Sequence, residues 1–212
     1  MTVAFLIVLA YLIGSIPSAV WVSKGIYGID IREHGSGNAG ATNTFRILGS
    51  KAGAAVMVAD MMKGFVAVNL SIFSAYSMKT EPFVNLQIFL GLFAVLGHIF
   101  PIWAEFRGGK GIATLFGMIL AIHYIVAMSL VLVFVMMLML TRYVSLSSIA
   151  ASIAFPLLIL FIFNAQAQEL SYRLFAIATA FLVVLTHHKN ISRLISGSES
   201  KLSLFRKRKS NQ

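Results

Sequence analysis

Four short polar segments interrupt an otherwise apolar chain, and their side chains are of the kinds that hold phosphate. The first is HGSGNAGATNTFR, His34 to Arg46, in which Ser36, Asn38, Thr42 and Asn43 alternate with glycine and alanine and an arginine closes the run. Glycines let backbone N–H groups converge on an anion, hydroxyls and amides add neutral donors, and Arg46 adds a bidentate cation. Gly35 to Gly40 formally satisfies G-x-G-x-x-G. It is not a dinucleotide fingerprint, because the segment before it is a membrane span and no strand leads into it. The second segment, Arg107-Gly108-Gly109-Lys110-Gly111, lacks the spacing of a Walker A loop, and no Ser or Thr follows the lysine. A lysine among glycines at a helix start nevertheless combines free N–H groups, the positive end of a helix dipole and an ammonium.

The third and fourth segments are Tyr143 to Ser148 and His187 to Leu194. Ser145 and Ser148 stand three apart on one helix face, as do His187 and Asn190. Serines at a helix start commonly bond back to the chain, so the plain alternative there is capping. Within the second apolar stretch, Asp60 and Lys63 also share a face, and either alone would be costly in lipid. They are expected to form a buried ion pair, and His98 beside Pro101 is expected to be structural.

Several chemistries are absent. Five positions after the histidines at 34, 98, 123, 187 and 188 stand Ala39, Trp103, Met128, Ser192 and Arg193, so no H-x₄-D acyltransferase pair exists. Asp30, Glu33, Glu105 and Glu199 are too scattered for a two-metal site, and no D-x-x-D run is present. This inventory favours binding phosphate groups without a metal or cofactor.

The elements that must position these residues follow from composition. Of 212 residues 58% are hydrophobic and 11% charged, and the mean hydropathy is +0.87, which excludes a soluble domain. There is no cysteine, so neither disulfides nor thiolate metal sites are available. Seventeen Lys and Arg against seven acids give a net charge of +10. In a membrane protein that means loops facing anionic lipid, or an anionic substrate. Nucleic acid is disfavoured, because the cations are spread over short loops without interleaved aromatics.

The N-terminus has no basic leader region and no small residue two before Ala19, so it reads as a retained span over positions 3 to 23. Further apolar stretches run over about 52 to 76, 84 to 103, 112 to 140, 144 to 163 and 171 to 186. The stretch 112 to 140 is too long for one untilted span, and charge parity decides how it is divided. If it crosses twice, breaking near His123-Tyr124, every basic residue except Lys63, Lys79 and Arg173 falls on one side. That side should be cytoplasmic. The expected fold is therefore an all-α integral membrane protein, a seven-helix bundle with its N-terminus outside, its C-terminus cytoplasmic and two helices short. It forms a single domain over 1 to 212, with a basic cytoplasmic tail from 201 that includes Arg206 to Lys209. The same assignment gathers all four polar segments on the cytoplasmic side.

In these residues the chain resembles the PlsY family of bacterial acyl-phosphate-dependent glycerol-3-phosphate acyltransferases. The likeness runs through GSIPSA from Gly14, IREHGSGNAGATNTFRILG from Ile31, ADMMKG from Ala59 and GHIFPIWAEFRGGKGIAT from Gly97. It continues in RYVSLSS from Arg142 and HHKNISRLISGSES from His187, and so covers nearly the whole chain. Family members often carry arginine after the first histidine of the last motif, where this chain has His188. The resemblance implies transfer of a fatty acyl group from acyl phosphate to the sn-1 hydroxyl of glycerol 3-phosphate at the cytoplasmic face of the bacterial inner membrane. Its products would be lysophosphatidic acid and inorganic phosphate, and its partners the two substrates and membrane lipids. Catalytic roles would fall to Ser36, Asn38, Arg46, Lys110, His187 and Asn190. Substrate binding would fall to Gly35, Gly37, Gly40, Thr42, Asn43, Gly108, Gly109, Gly111, Ser145, Ser148, Arg193 and Glu199. The competing class is a multi-pass protein that binds or transports a phosphorylated solute, which would require polar residues through the full membrane depth or an inverted repeat.

Overall fold

The computed structural model describes residues 1–162 and 170–202, and all regular structure among them is helical. Helices occupy every apolar stretch expected from the sequence. The first stretch is not one helix, however. α1 (Val3–Gly14) stops short of Pro17 and α2 (Ser18–Tyr27) starts after it, because proline brings no N–H and its ring crowds the preceding turn. After the His34 loop a short amphipathic helix, α3 (Ala41–Leu48), precedes α4 (Ser50–Asn69). α5 (Glu81–Ile99) carries Pro82 in its first turn, where the missing N–H is harmless, and ends before Pro101.

The stretch 112 to 140 divides where charge parity requires. α6 (Ile112–Ile122) and α7 (Tyr124–Thr141) meet at His123, whose φ of −149° and ψ of 84° break the helix. α8 (Val144–Leu157) contains Pro156 and passes into a π turn at Leu158–Ile162, the local widening that relieves a proline within a helix. α9 (Leu170–Thr186) turns by 62° into the short α10 (His188–Ile195). Among the described residues five helical stretches are long and apolar enough to cross a membrane, a sixth if α9 and α10 are one bent span. α6, at 11 residues, is shorter.

The helices that carry the site pack backbone against backbone. A Cβ added at Gly64 of α4 would strike the carbonyl of Thr114, and one at Gly117 of α6 the carbonyl of Met61. Gly14 meets Ala94, and Gly97 meets Tyr11, in the same way at the crossing of α1 and α5. Lipid offers no hydrophobic drive for helix association, so close approach at small residues supplies it through van der Waals contact. Around these crossings Val95, Leu115, Met118, Val126, Phe155 and Phe175 fill the main core. Leu132, Met139 and Leu140 of α7 lie outside it, exposed as lipid-facing side chains should be.

Candidate active site

All four polar segments meet at one end of the bundle. Arg32, held by Asp30 at 2.7 Å, reaches the carbonyl of Ala104 at 3.1 Å and so ties the turn before the first segment to the turn before the second. The Arg32 guanidinium beside Asp30 holds that carboxyl well below the usual carboxylate range. The N–H of Leu202 donates to Arg142 O at 2.7 Å, and Lys201 lies 5.4 Å over the Tyr143 ring. These contacts join the start of the third segment to the chain beyond the fourth.

In the first segment Gly35 and Gly37 have φ of +63° and +72°, a region that favours glycine. The loop they allow closes on Asn43. Its amide donates to the carbonyls of Ile31 at 3.1 Å and His34 at 2.9 Å, and its Oδ1 accepts from the Ser36 N–H at 3.0 Å. Asn43 is 1% exposed, so it braces the loop from within. Ser36 is left exposed and Asn38 half-buried beside Gly40, the residue that caps α3. Thr42 and Arg46, four apart on α3, are both exposed.

The glycines of the second segment act differently from the expected cradle of free N–H groups. Gly108 donates to Ile99 O and Gly109 to His98 O, each at 3.1 Å, so these N–H groups satisfy the last carbonyls of α5. Neither glycine has room for a Cβ against that helix end. Gly111, at φ +81°, then turns the chain into α6. The effect is to deliver Lys110, half-buried, to the start of α6.

Lys110 donates to Asn190 Oδ1. Asn190 in turn donates to Glu199 at 2.6 Å, which also accepts from Ser145 at 2.7 Å and from Arg193 Nε at 2.6 Å. Glu199 is therefore the hub on which the third and fourth segments converge. Burial opposes its ionisation, yet the hydrogen bonds from Arg193, Ser145 and Asn190 outweigh burial and hold its carboxyl below the usual value. Ser148 bonds back to Val144 O at 3.0 Å, the capping alternative.

Cations are in excess. Burial pushes the Lys110 ammonium down to about 8, and Arg193 and Arg46 push the same way against Glu199. Lys110 and Arg193 thus converge on one carboxylate with Arg46 close enough to act on Lys110, a field that favours an anion. His187 lies 3% exposed at the bend between α9 and α10. Its Nδ1 is 2.8 Å from Val183 O, so it donates there and leaves Nε2 as an acceptor. Burial, and then Lys110, push this imidazole down to about 4. It is neutral at physiological pH. Sequence reading had missed the brace from Arg32 to Ala104. Asp30 two before Arg32 signalled the local turn, but nothing local signals the reach to Ala104.

Comparison with known proteins agrees with this architecture. The family model described as glycerol-3-phosphate acyltransferase matches residues 4–197. The protein named glycerol-3-phosphate acyltransferase from Bacillus cytotoxicus is 45% identical, the match covering 96% of this chain and 97% of that one. Its namesake from Salinibacter ruber is 42% identical over 94% and 92%. The crystal structure of PlsY (YgiH), an integral membrane glycerol 3-phosphate acyltransferase, in its glycerol 3-phosphate form superposes with a TM-score of 0.83. It is 37% identical and covers 95% of this chain and 96% of that one. The lysophosphatidic acid form gives a TM-score of 0.80 at 36% identity. With the family model matched over residues 4–197 and relatives more than 40% identical over nearly its whole length, the chain belongs to the glycerol-3-phosphate acyltransferase family.

Proposed function

We propose that the chain transfers a fatty acyl group from acyl phosphate to the sn-1 hydroxyl of glycerol 3-phosphate. The observation that carries this reading is the network in which Lys110 and Ser145 meet Asn190 and Glu199 beside Arg193 at the bundle end, with Arg46 near enough to act on Lys110. Both substrates are phosphates, and the PlsY structure in its glycerol 3-phosphate form supports the acceptor. The hydroxyl oxygen attacks the acyl carbon and forms the ester C–O bond. The bond from that carbon to the phosphate oxygen then breaks, and inorganic phosphate leaves. Lys110 and Arg46, with donors from Ser36 and Asn38, hold the phosphates and the developing oxyanion. Asn190 and His187 orient the acceptor.

The proton goes to the departing phosphate. A phosphate group with a second pKa of about 6 is a stronger base than an imidazole held at about 4. His187 is oriented by a backbone carbonyl, which cannot neutralise an imidazolium as a carboxylate would. We further assign seven crossings with α6 among them, the N-terminus outside, and the site on the cytoplasmic face of the bacterial plasma membrane. Arg206 to Lys209, outside the described residues, would then face anionic lipid. The test is release of phosphate by purified protein in lipid. Acyl phosphate should be consumed only when glycerol 3-phosphate is present, with one lysophosphatidic acid formed per phosphate. Binding without turnover would instead indicate a carrier of phosphorylated solutes.

A further inference from the structure

Beneath the loop that carries Lys110 lies a second polar cluster that the phosphate site does not use. Asp60 and Lys63 of α4 are joined at 2.5 Å, and His98 of α5 brings Nδ1 to 3.7 Å from the same Asp60 oxygen. All three are at least nine-tenths buried. Charges inside a helical membrane bundle are costly and are kept where they are paired or put to use. The cleft they line with Ser18, Ala39 and Gly109 has room for a single water, too little for a glycerol or phosphate group. The cleft itself is therefore too small to hold a substrate.

The cluster's contact with the site runs through one residue. The His98 carbonyl accepts the Gly109 N–H at 3.1 Å. The His98 ring lies against the other side of that glycine, where a Cβ would collide with Nε2 and crowd the Ala39 carbonyl of the first loop. His98 thus grips the residue before Lys110 by backbone and by ring, while Asp60 approaches that ring from α4. A glycine loop has no side chains of its own to hold it in place.

We propose that Asp60, Lys63 and His98 form a positioning triad that sets the placement of Lys110 at the phosphate site by fixing Gly109 between the His98 ring and the first loop. This rests on the assignment of Lys110 to phosphate. Apolar packing would fill the same space, but a paired carboxylate also fixes which way the ring is turned. A displacement of about 1 Å at a phosphate-holding cation can cost about 10²-fold in rate.

The test compares His98→Gln with the paired substitution Asp60→Asn/Lys63→Met, which removes both charges together and leaves no unpaired charge. Each is assayed for kcat/KM per folded protein, for its pH profile and for thermal stability, alone and combined with Lys110→Ala. The expected result is a loss of about 10- to 100-fold in kcat/KM. The alkaline limb should also rise from about 8 as Lys110 leaves its place among Arg46, Arg193, His187 and Glu199. Combined with Lys110→Ala, either change should cost far less than it does alone. The conservative Lys63→Arg, which keeps the pair, should retain the rate. Wild-type kcat/KM and an unmoved limb in a folded variant, even a less stable one, would overturn the proposal, as would losses that simply multiply with Lys110→Ala. Full activity in Lys110→Ala itself would instead remove the phosphate assignment and leave the triad a structural ion pair.

Discussion

On the proposed reading Lys110 carries much of the chemistry of the site, and it is also a residue whose removal should little disturb the fold. It is half-buried at a polar bundle end, and Asn190 keeps Glu199 as a partner when the ammonium is gone. Lys110→Ala is expected to lower kcat/KM by at least about 10²-fold, the usual worth of one transition-state donor, with the melting temperature nearly unchanged. Near-normal turnover would reduce the Gly108–Gly111 segment to an ordinary turn. Because the ammonium must be protonated to act and sits at about 8, kcat/KM should fall as pH rises through that value. In Lys110→Arg the guanidinium keeps its charge to far higher pH, so this limb should vanish whatever the absolute rate. His187 offers the contrasting case. A solvated histidine would place an acid limb near 6.5, but at about 4 this imidazole is neutral through the working range. His187→Gln should therefore cost less than about tenfold, since an amide can replace its hydrogen bonds. A loss of three orders of magnitude or more would make His187 the base.

The helices differ in how far their sequences disclose them. The break at His123 was legible because 112 to 140 is too long for one crossing and the flanking charges demand an even count. The break at Pro17 was hidden, because α1 and α2 are apolar on both sides of it and hydropathy alone reads straight through. α3 was read as part of a glycine loop, since its eight residues are too few for periodicity to declare. Composition marks Gly108 and Gly109 as phosphate ligands, whereas their N–H groups cap α5. Which carbonyls end nearby is a tertiary fact that no local pattern carries. The crossing of α4 and α6 gives the sharpest prediction here. Gly64→Val would drive a side chain into the Thr114 backbone, and a backbone cannot swing aside as a rotamer can. Destabilisation of about 3 kcal/mol or more is expected, seen as loss of folded protein in detergent. The Glu199 hub should add pH dependence to the docking of α10. Its folded pKa lies below the ordinary 4.5, so its contribution is fully present above that value and is lost as pH falls through the lower folded one. Wild type should lose thermal stability on acidification more steeply than Glu199→Gln.

For the bundle as a whole, orientation rests on charge, and the absence of cysteine makes it simple to measure. A single cysteine at Lys79, in the turn before α5, should react with an impermeant reagent added to intact cells, while cysteines at Lys110 or Ser145 should not. Labelling of the last residues from outside would overturn the seven-crossing arrangement. One feature of the bundle reaches past the protein into its solvent. The His123 ring stacks on Tyr172 at 6.4 Å, so the far ends of α6 and α9 are level, and their near ends meet where Lys110 joins Asn190. At 1.5 Å per residue α6 is only about 16 Å long, against about 30 Å of hydrocarbon. If α6 crosses as proposed, the lipid around it must thin, or the reacting groups must sit below the level of the headgroups. Either way an acyl donor can present its carbonyl while its chain stays among its neighbours in the leaflet. The thickness of the surrounding bilayer then becomes a rate-determining variable: turnover in short-chain phosphatidylcholine vesicles should exceed that in long-chain ones at equal substrate density.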